Sequence, residues 1–190
     1  MPILGAVIGE GFGAVLAAAQ AGSEPAFSQL WRDGNPALLR YLRVLAPEAA
    51  EDIAAETWVQ VVRGLPGFRG DEQAWRAWLF TTGRRRVLDE RRRRSRRPAI
   101  PLDEIPETNL PDVSDTADLA VEHLSTRAVL ALLTGLPPVQ AEVILLRVVA
   151  GLDTESVARM LDRTPGAVRV AAHRGLRRLA QLVAQDGVTL

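Results

Sequence analysis

Two stretches of the chain carry side chains suited to gripping a polyanion. The first, WRAWLFTTGRRRVLDERRRRSRR at residues 75–97, opens on Trp75 and Trp78 and contains ten arginines. The second, DRTPGAVRVAAHRGLRRL at residues 162–179, repeats Arg163, Arg169, Arg174, Arg177 and Arg178 around His173. A guanidinium holds phosphate oxygens through paired hydrogen bonds, and an indole stacks on an unpaired base for about 1–3 kcal/mol. Nothing comparable supports catalysis. There is no Gly-rich phosphate loop and no nucleophile–base pair with a local signature. With no cysteine and only two histidines, His123 and His173, a metal site has little to build on. No catalytic residue, metal or cofactor is expected.

These stretches need scaffolds. At 3.6 residues per turn, Trp75, Trp78, Thr82, Arg85 and Asp89 fall along one side of a helix, and Leu79, Phe80, Gly83 and Val87 along another. The second side is the expected packed face. Two arrangements stay open for the indoles: displayed above a ladder of arginines, or buried with Arg91–Arg97 as a solvated tail. A membrane-surface helix fits less well, because the arginines cluster at one end instead of lining one face.

In the second stretch, Val157, Ala158 and Leu161 mark a short helix. Asp162-Arg163 make a tight turn, and Thr164 caps a helix whose first position is Pro165. This is the layout of a helix-turn-helix, with Val168, Ala171, Ala172, Leu176 and Leu179 expected inward. Thr164, Gly166, Arg169 and His173 are then the candidate base readers in a major groove, and Arg163, Arg174, Arg177 and Arg178 the candidate phosphate contacts. The competing reading is a helical hairpin with a solvated basic edge.

Charge is segregated along the chain. The net charge is zero, yet residues 84–98 carry nine arginines against two acids, residues 99–120 six acids and no base, and residues 147–190 seven arginines against four acids. Between the basic segments runs RRPAIPLDEIPETNLPDVSDTADLA, a proline-rich acidic linker with few large apolar residues. Strand alternation is nearly absent and helical periodicity common. The expected fold is all-α: a helical domain over 15–97, a flexible acidic linker over 98–120 and a helix-turn-helix domain over 121–190. Within the first domain, a helix is expected to begin at Pro36 behind the cap Asn35. A second, from Pro47 to Gly64, has the acidic start Glu48, Glu51, Asp52 and Glu56, with Trp58 beyond. No apolar run reaches about 18 residues, so no membrane insertion is expected. The apolar opening lacks a basic residue before Arg32 and is broken by Glu10, and it reads as a weakly ordered lead-in. The expected compartment is the cytoplasm.

AAEDIAAETWVQVVRGLPGFRGDEQAWRAWLFTTGRRRVLDERRRR resembles region two of bacterial RNA polymerase sigma factors of the extracytoplasmic-function branch. LLTGLPPVQAEVILLRVVAGLDTESVARMLDRTPGAVRVAAHRGLRRL resembles their region four. The resemblance implies a subunit that binds core RNA polymerase and directs promoter recognition and DNA opening. It places Asp52, Glu56 and Trp58 in the segment that docks on the polymerase. Trp75, Arg76, Trp78, Thr82, Arg84, Arg85, Arg86, Arg91 and Arg92 match the part that recognises and melts the −10 element. Arg163, Thr164, Gly166, Arg169, His173, Arg174 and Arg177 match the reader of the duplex −35 element. It also implies an anti-sigma protein as a partner. Arg85 stands where the family often has asparagine, and Ala171 and Val170 replace a common arginine and serine, so promoter preference does not carry over. The free chain is expected to be a monomer whose halves pack together through the acidic linker and the arginine tail. A repressor or activator acting on duplex DNA without polymerase is the rival.

Overall fold

The computed structural model describes residues 8–96 and 131–185, and among these the regular elements are all helical. The first half holds α1 (Phe12–Gln20), α2 (Glu24–Leu45), α3 (Ala50–Gly64) and α4 (Glu72–Arg96), with short 3-10 turns before α1, between α2 and α3, and after α3. The second half holds α5 (Pro138–Ile144), continued by a π-helical stretch Leu145–Val149, then α6 (Thr154–Leu161) and α7 (Pro165–Gln185). The acidic linker over 98–120 and the start of the expected helix around HLSTRAVL lie outside the described residues.

Two expectations are corrected in the first half. The helix expected to begin at Pro36 is the middle of α2, which starts twelve residues earlier where the Ser23 hydroxyl accepts the Ala26 amide. Proline costs a helix one amide, but here Asp33 and Gly34 before it and Ala37 and Leu38 after it are all buried. Packing on both sides carries the helix through. The lead-in is likewise structural: Phe12, Leu16 and Ala19 of α1 are buried in the core.

Trp75 is the hub of that core. It is fully buried, with ring centroids of Phe12, Trp58, Phe68 and Trp78 at 6.4, 6.5, 5.6 and 5.5 Å. Leu79, Phe80, Gly83 and Val87 continue the same face of α4 into the interior, as their spacing requires. Close approach of the helices depends on two glycines. A Cβ on Gly34 would stand 2.8 Å from Leu79 Cδ2, and one on Gly64 would stand 2.7 Å from the Trp78 ring.

One charged cluster lies inside this core. Arg76 reaches from α4 to α2, donating to both Asp33 oxygens at 3.2 and 3.0 Å, and meets Glu72 one turn back at 3.1 Å. Glu72 in turn accepts the backbone amides of Ile8 and Gly9, which ties the start of the described chain to α4. Burial lifts the Asp33 carboxyl above its ordinary value, and Arg76 opposes that rise. Removing one partner of such a pair strands the other in low dielectric, at a cost of about 3–5 kcal/mol. Arg76→Met is therefore expected to lose about 3–5 kcal/mol in urea denaturation, and adding Asp33→Asn to recover most of it. A variant as stable as the parent would show that the pair contributes nothing.

Candidate nucleic-acid interface

The two basic stretches become two different surfaces. Of the two arrangements left open for the indoles, α4 shows burial, so Trp75 is corrected as a surface contact: it is a core residue, and Trp78 is half-buried with its ring stacked on Phe68 at 5.1 Å and 18°. Arg76 is also removed from the expected surface by its buried ion pairs. Thr82 is half-buried and donates to the Trp78 carbonyl at 2.8 Å. What α4 presents is a row of arginines. Arg85 is exposed. Arg86 stands 3.7 Å from Glu56 of α3, Arg92 pairs with Asp89, and Arg91 donates to the Leu45 carbonyl at 2.9 Å. Arg84 is engaged elsewhere, its Nε donating to Glu142 at 2.8 Å.

The helix-turn-helix forms as its sequence requires. Asp153 caps α6 by accepting the Ser156 amide at 2.6 Å. Asp162 ends α6 in the left-handed conformation (φ 53°), a position for which aspartate is among the few tolerant non-glycine residues. The Thr164 hydroxyl then accepts the Ala167 amide at 3.2 Å to open α7 behind Pro165. Val168 is buried and Ala171, Ala172 and Leu179 pack against the core. Leu176, expected inward, is exposed, and the buried position on that turn is Gly175. A Cβ there would stand 2.7 Å from Ile144 Cδ1, so α7 crosses α5 too closely for any side chain. Arg163, Thr164, Gly166, Arg169, His173, Arg174, Arg177 and Arg178 all face solvent.

On the expected polymerase-docking segment, Asp52 and Glu56 are exposed. Trp58 is corrected: it is 7% exposed, its indole N–H donating to Asn35 Oδ1 at 2.9 Å. The exposed stripe of α3 is Asp52, Ala55, Glu56, Val59, Val62 and Arg63, at the three- and four-residue spacing of one helix face. With Phe27 and Trp31 of α2 it forms a shallow apolar groove over Trp58. Trp31, Val59 and Val62 went unremarked in the sequence. Their signal was available, since large apolar residues one step off the core face of an amphipathic helix mark a second, unpartnered face.

The Asp153 cap gives a test of the reader domain. Its hydrogen bond from the Ser156 amide holds the carboxyl below its ordinary value of 3.8. The unfolded chain thus protonates first as pH falls. The contribution is present above the ordinary value and lost as pH drops through the lowered one. Asp153→Ala is expected to cost about 1 kcal/mol at neutral pH, and this difference is expected to shrink in thermal melts carried well into acid. A difference that does not change with pH would exclude an ionised cap.

The profile described as Sigma-70 region 2 matches residues 30–97, and that described as Sigma-70, region 4 matches residues 126–179. The ECF RNA polymerase sigma factor ShbA of Streptomyces griseus is 37% identical over 188 residues, covering 91% of this chain and 95% of that protein. The ECF RNA polymerase sigma factor SigD of Mycobacterium tuberculosis is 33% identical over 185 residues, covering 94% and 87%. In fold, the chain superposes on the sigma factor RpoE of Bartonella quintana, solved in complex with the anti-sigma factor NepR, with a TM-score of 0.61 at 24% identity over 83% of this chain and 96% of that one. Two matched regions in order, and whole-length relatives above 30% identity, place the chain in one family: it is an RNA polymerase sigma factor of the ECF branch.

Proposed function

We propose that this sigma factor, which binds core RNA polymerase and directs promoter recognition and DNA opening, divides that work among three surfaces with no chemistry of its own. The observation that carries the division is the free face of α7: its arginines and His173 are exposed together, behind a capped N-terminus, on a helix held against α5 and α6. Thr164, Gly166, Arg169 and His173 read base edges of the −35 element as duplex. Arg163, Arg174 and Arg177 hold its phosphates.

The −10 element falls to α4. Arg84, Arg85, Arg86, Arg91 and Arg92 supply its phosphate contacts, and Thr82 borders them. Trp78, half-buried on Phe68, offers one edge to an unpaired base. Trp75 and Arg76 serve this surface from beneath, by fixing the rotation of α4 about its axis. The groove of Trp31, Val59 and Val62, flanked by Asp52 and Glu56, docks on core polymerase; Trp58 is its floor. That patch is apolar at its centre and charged at its rim, the usual build of a protein–protein contact. The protein works in the cytoplasm as a monomer until it meets polymerase. An anti-sigma protein, such as the one bound to the Bartonella relative, holds it inactive by covering these faces.

Run-off transcription with purified bacterial core polymerase on source-genome fragments tests the division. Arg169→Ala is expected to lose about 1–3 kcal/mol of discrimination at one base position, relaxing start-site choice, while Arg177→Ala weakens all promoters alike and lowers the salt slope of binding by about one. Val59→Glu is expected to abolish co-purification with core polymerase while the melting temperature holds. Discrete transcripts unaltered by all three changes would sink the assignment. Tight binding to a duplex site by the protein alone, with no binding to core, would favour the repressor or activator reading.

A further inference from the structure

The outer face of α7 carries two residues that its folding does not call for. Val168 is buried in the core, and at 100° per residue Gly166, Val170, His173 and Arg177 all fall within about 40° of the opposite direction. Val170 is 49% exposed, so packing does not hold it there. Gly166 is exposed as well, and a Cβ added to it would meet only Thr164 Oγ1, at 3.9 Å. Its backbone is helical, so no left-handed turn demands glycine. Gly175 of the same helix is the contrast, since a Cβ there would strike Ile144. Glycine and β-branched valine are both weaker helix formers than alanine. Burial, steric room and helix propensity all leave Gly166 and Val170 unaccounted for as parts of the fold.

This face is open, because the two halves of the protein meet elsewhere. Glu142 of α5 accepts Arg84 Nε at 2.8 Å and the Tyr41 hydroxyl at 3.0 Å, and Gln73 of α4 donates to the Gly151 carbonyl at 3.1 Å. The arginine tail expected in that contact is corrected: among the described residues, Arg92, Arg93 and Arg94 pair with Asp89, Glu90 and Glu48 of their own half.

We infer that Gly166 and Val170 form a methyl-reading notch, in which the 5-methyl group of one thymine of the −35 element packs against Val170 in the space that Gly166 leaves open. This rests on the assignment of α7 to that element. Valine neither donates nor accepts a hydrogen bond, and the one apolar group that base pairs present in the major groove is the thymine methyl. Side chains on a helix tilt toward its start, so Val170 leans over the turn that holds Gly166. The missing side chain at Gly166 lets the helix backbone come close to the base edge. Arg169 and Arg174 flank this line, one on each side, and both are exposed. A duplex gripped by both lies over the notch. The notch also sets orientation, because turning an A·T pair over carries its methyl group to the other side of the groove.

The test uses the full chain assembled with core polymerase, on the promoter fragment that gives the strongest run-off transcript. Each thymine of its −35 element, on either strand, is replaced in turn by deoxyuracil, which lacks only the methyl group. One replacement is expected to weaken holoenzyme binding about fourfold, the worth of one buried methyl group, and the others to leave it unchanged. Val170→Ser is expected to bind the parent duplex at least as weakly and to lose its sensitivity to that replacement. Gly166→Ala fills the notch. Its melting temperature is expected to hold or rise, while its binding to the thymine duplex falls about tenfold and deoxyuracil at the same position recovers most of the loss. A replacement series in which no position stands out, or a Val170→Ser holoenzyme as sensitive as the parent, would overturn the notch. So would a Gly166→Ala holoenzyme that binds as tightly as the parent. The absence of any transcript sinks the promoter assignment and the notch with it, whereas transcripts with a flat replacement series remove the notch and leave that assignment standing.

Discussion

The burial of Trp75 is the constraint on which region two depends. Its indole is enclosed by rings from α1, the middle of α3, the turn after α3 and its own helix. Removing that ring would empty a volume that four neighbours share, and aromatic-to-alanine changes in cores cost about 3–5 kcal/mol. Because Trp75 lies near the start of α4, it also fixes which side of that helix faces out. The arginines further along, Arg84, Arg85, Arg86 and Arg91, inherit their direction from it. An α-helix turns 100° per residue, so Arg85 and Val87 lie about 160° apart around the axis, and holding Val87 inward directs Arg85 to solvent.

The buried ion cluster does a different job in the same place. Arg76, Asp33 and Glu72 make no net case for stability, since desolvation offsets most of what their attraction supplies. Their geometry is selective, however. Few registers of α4 against α2 let Arg76 Nη2 meet both Asp33 oxygens, whereas apolar contacts are less directional. The ring cluster supplies the driving force, and the charged cluster supplies the register. Together they fix the start of a helix whose outer half carries most of its arginines.

Much of this was legible in the chain. The packed face Leu79, Phe80, Gly83 and Val87 follows from periodicity, and the Thr164-Pro165 start of α7 follows from capping chemistry. What misled was local signal overruled by packing at a distance. Asn35-Pro36 has the form of a helix start, yet buried neighbours on either side hold α2 together through it. The indoles shared a helical side with Arg85, and nothing local shows that Phe12 and Phe68, far off in sequence, close over Trp75. Leu176 was placed inward by its spacing, but Gly175 occupies the contact because the α5 crossing leaves no room for a Cβ. Long-range steric facts of this kind have no imprint within a window of one or two turns.

The same separation between local and distant information applies between the two halves. Glu142 is an unremarkable acid in sequence, one of many, and its meaning comes only from meeting Arg84 and Tyr41. Those partners lie 58 and 101 positions away along the chain, so no local pattern around Glu142 points to either of them, whereas the cap of α7 is written in adjacent residues.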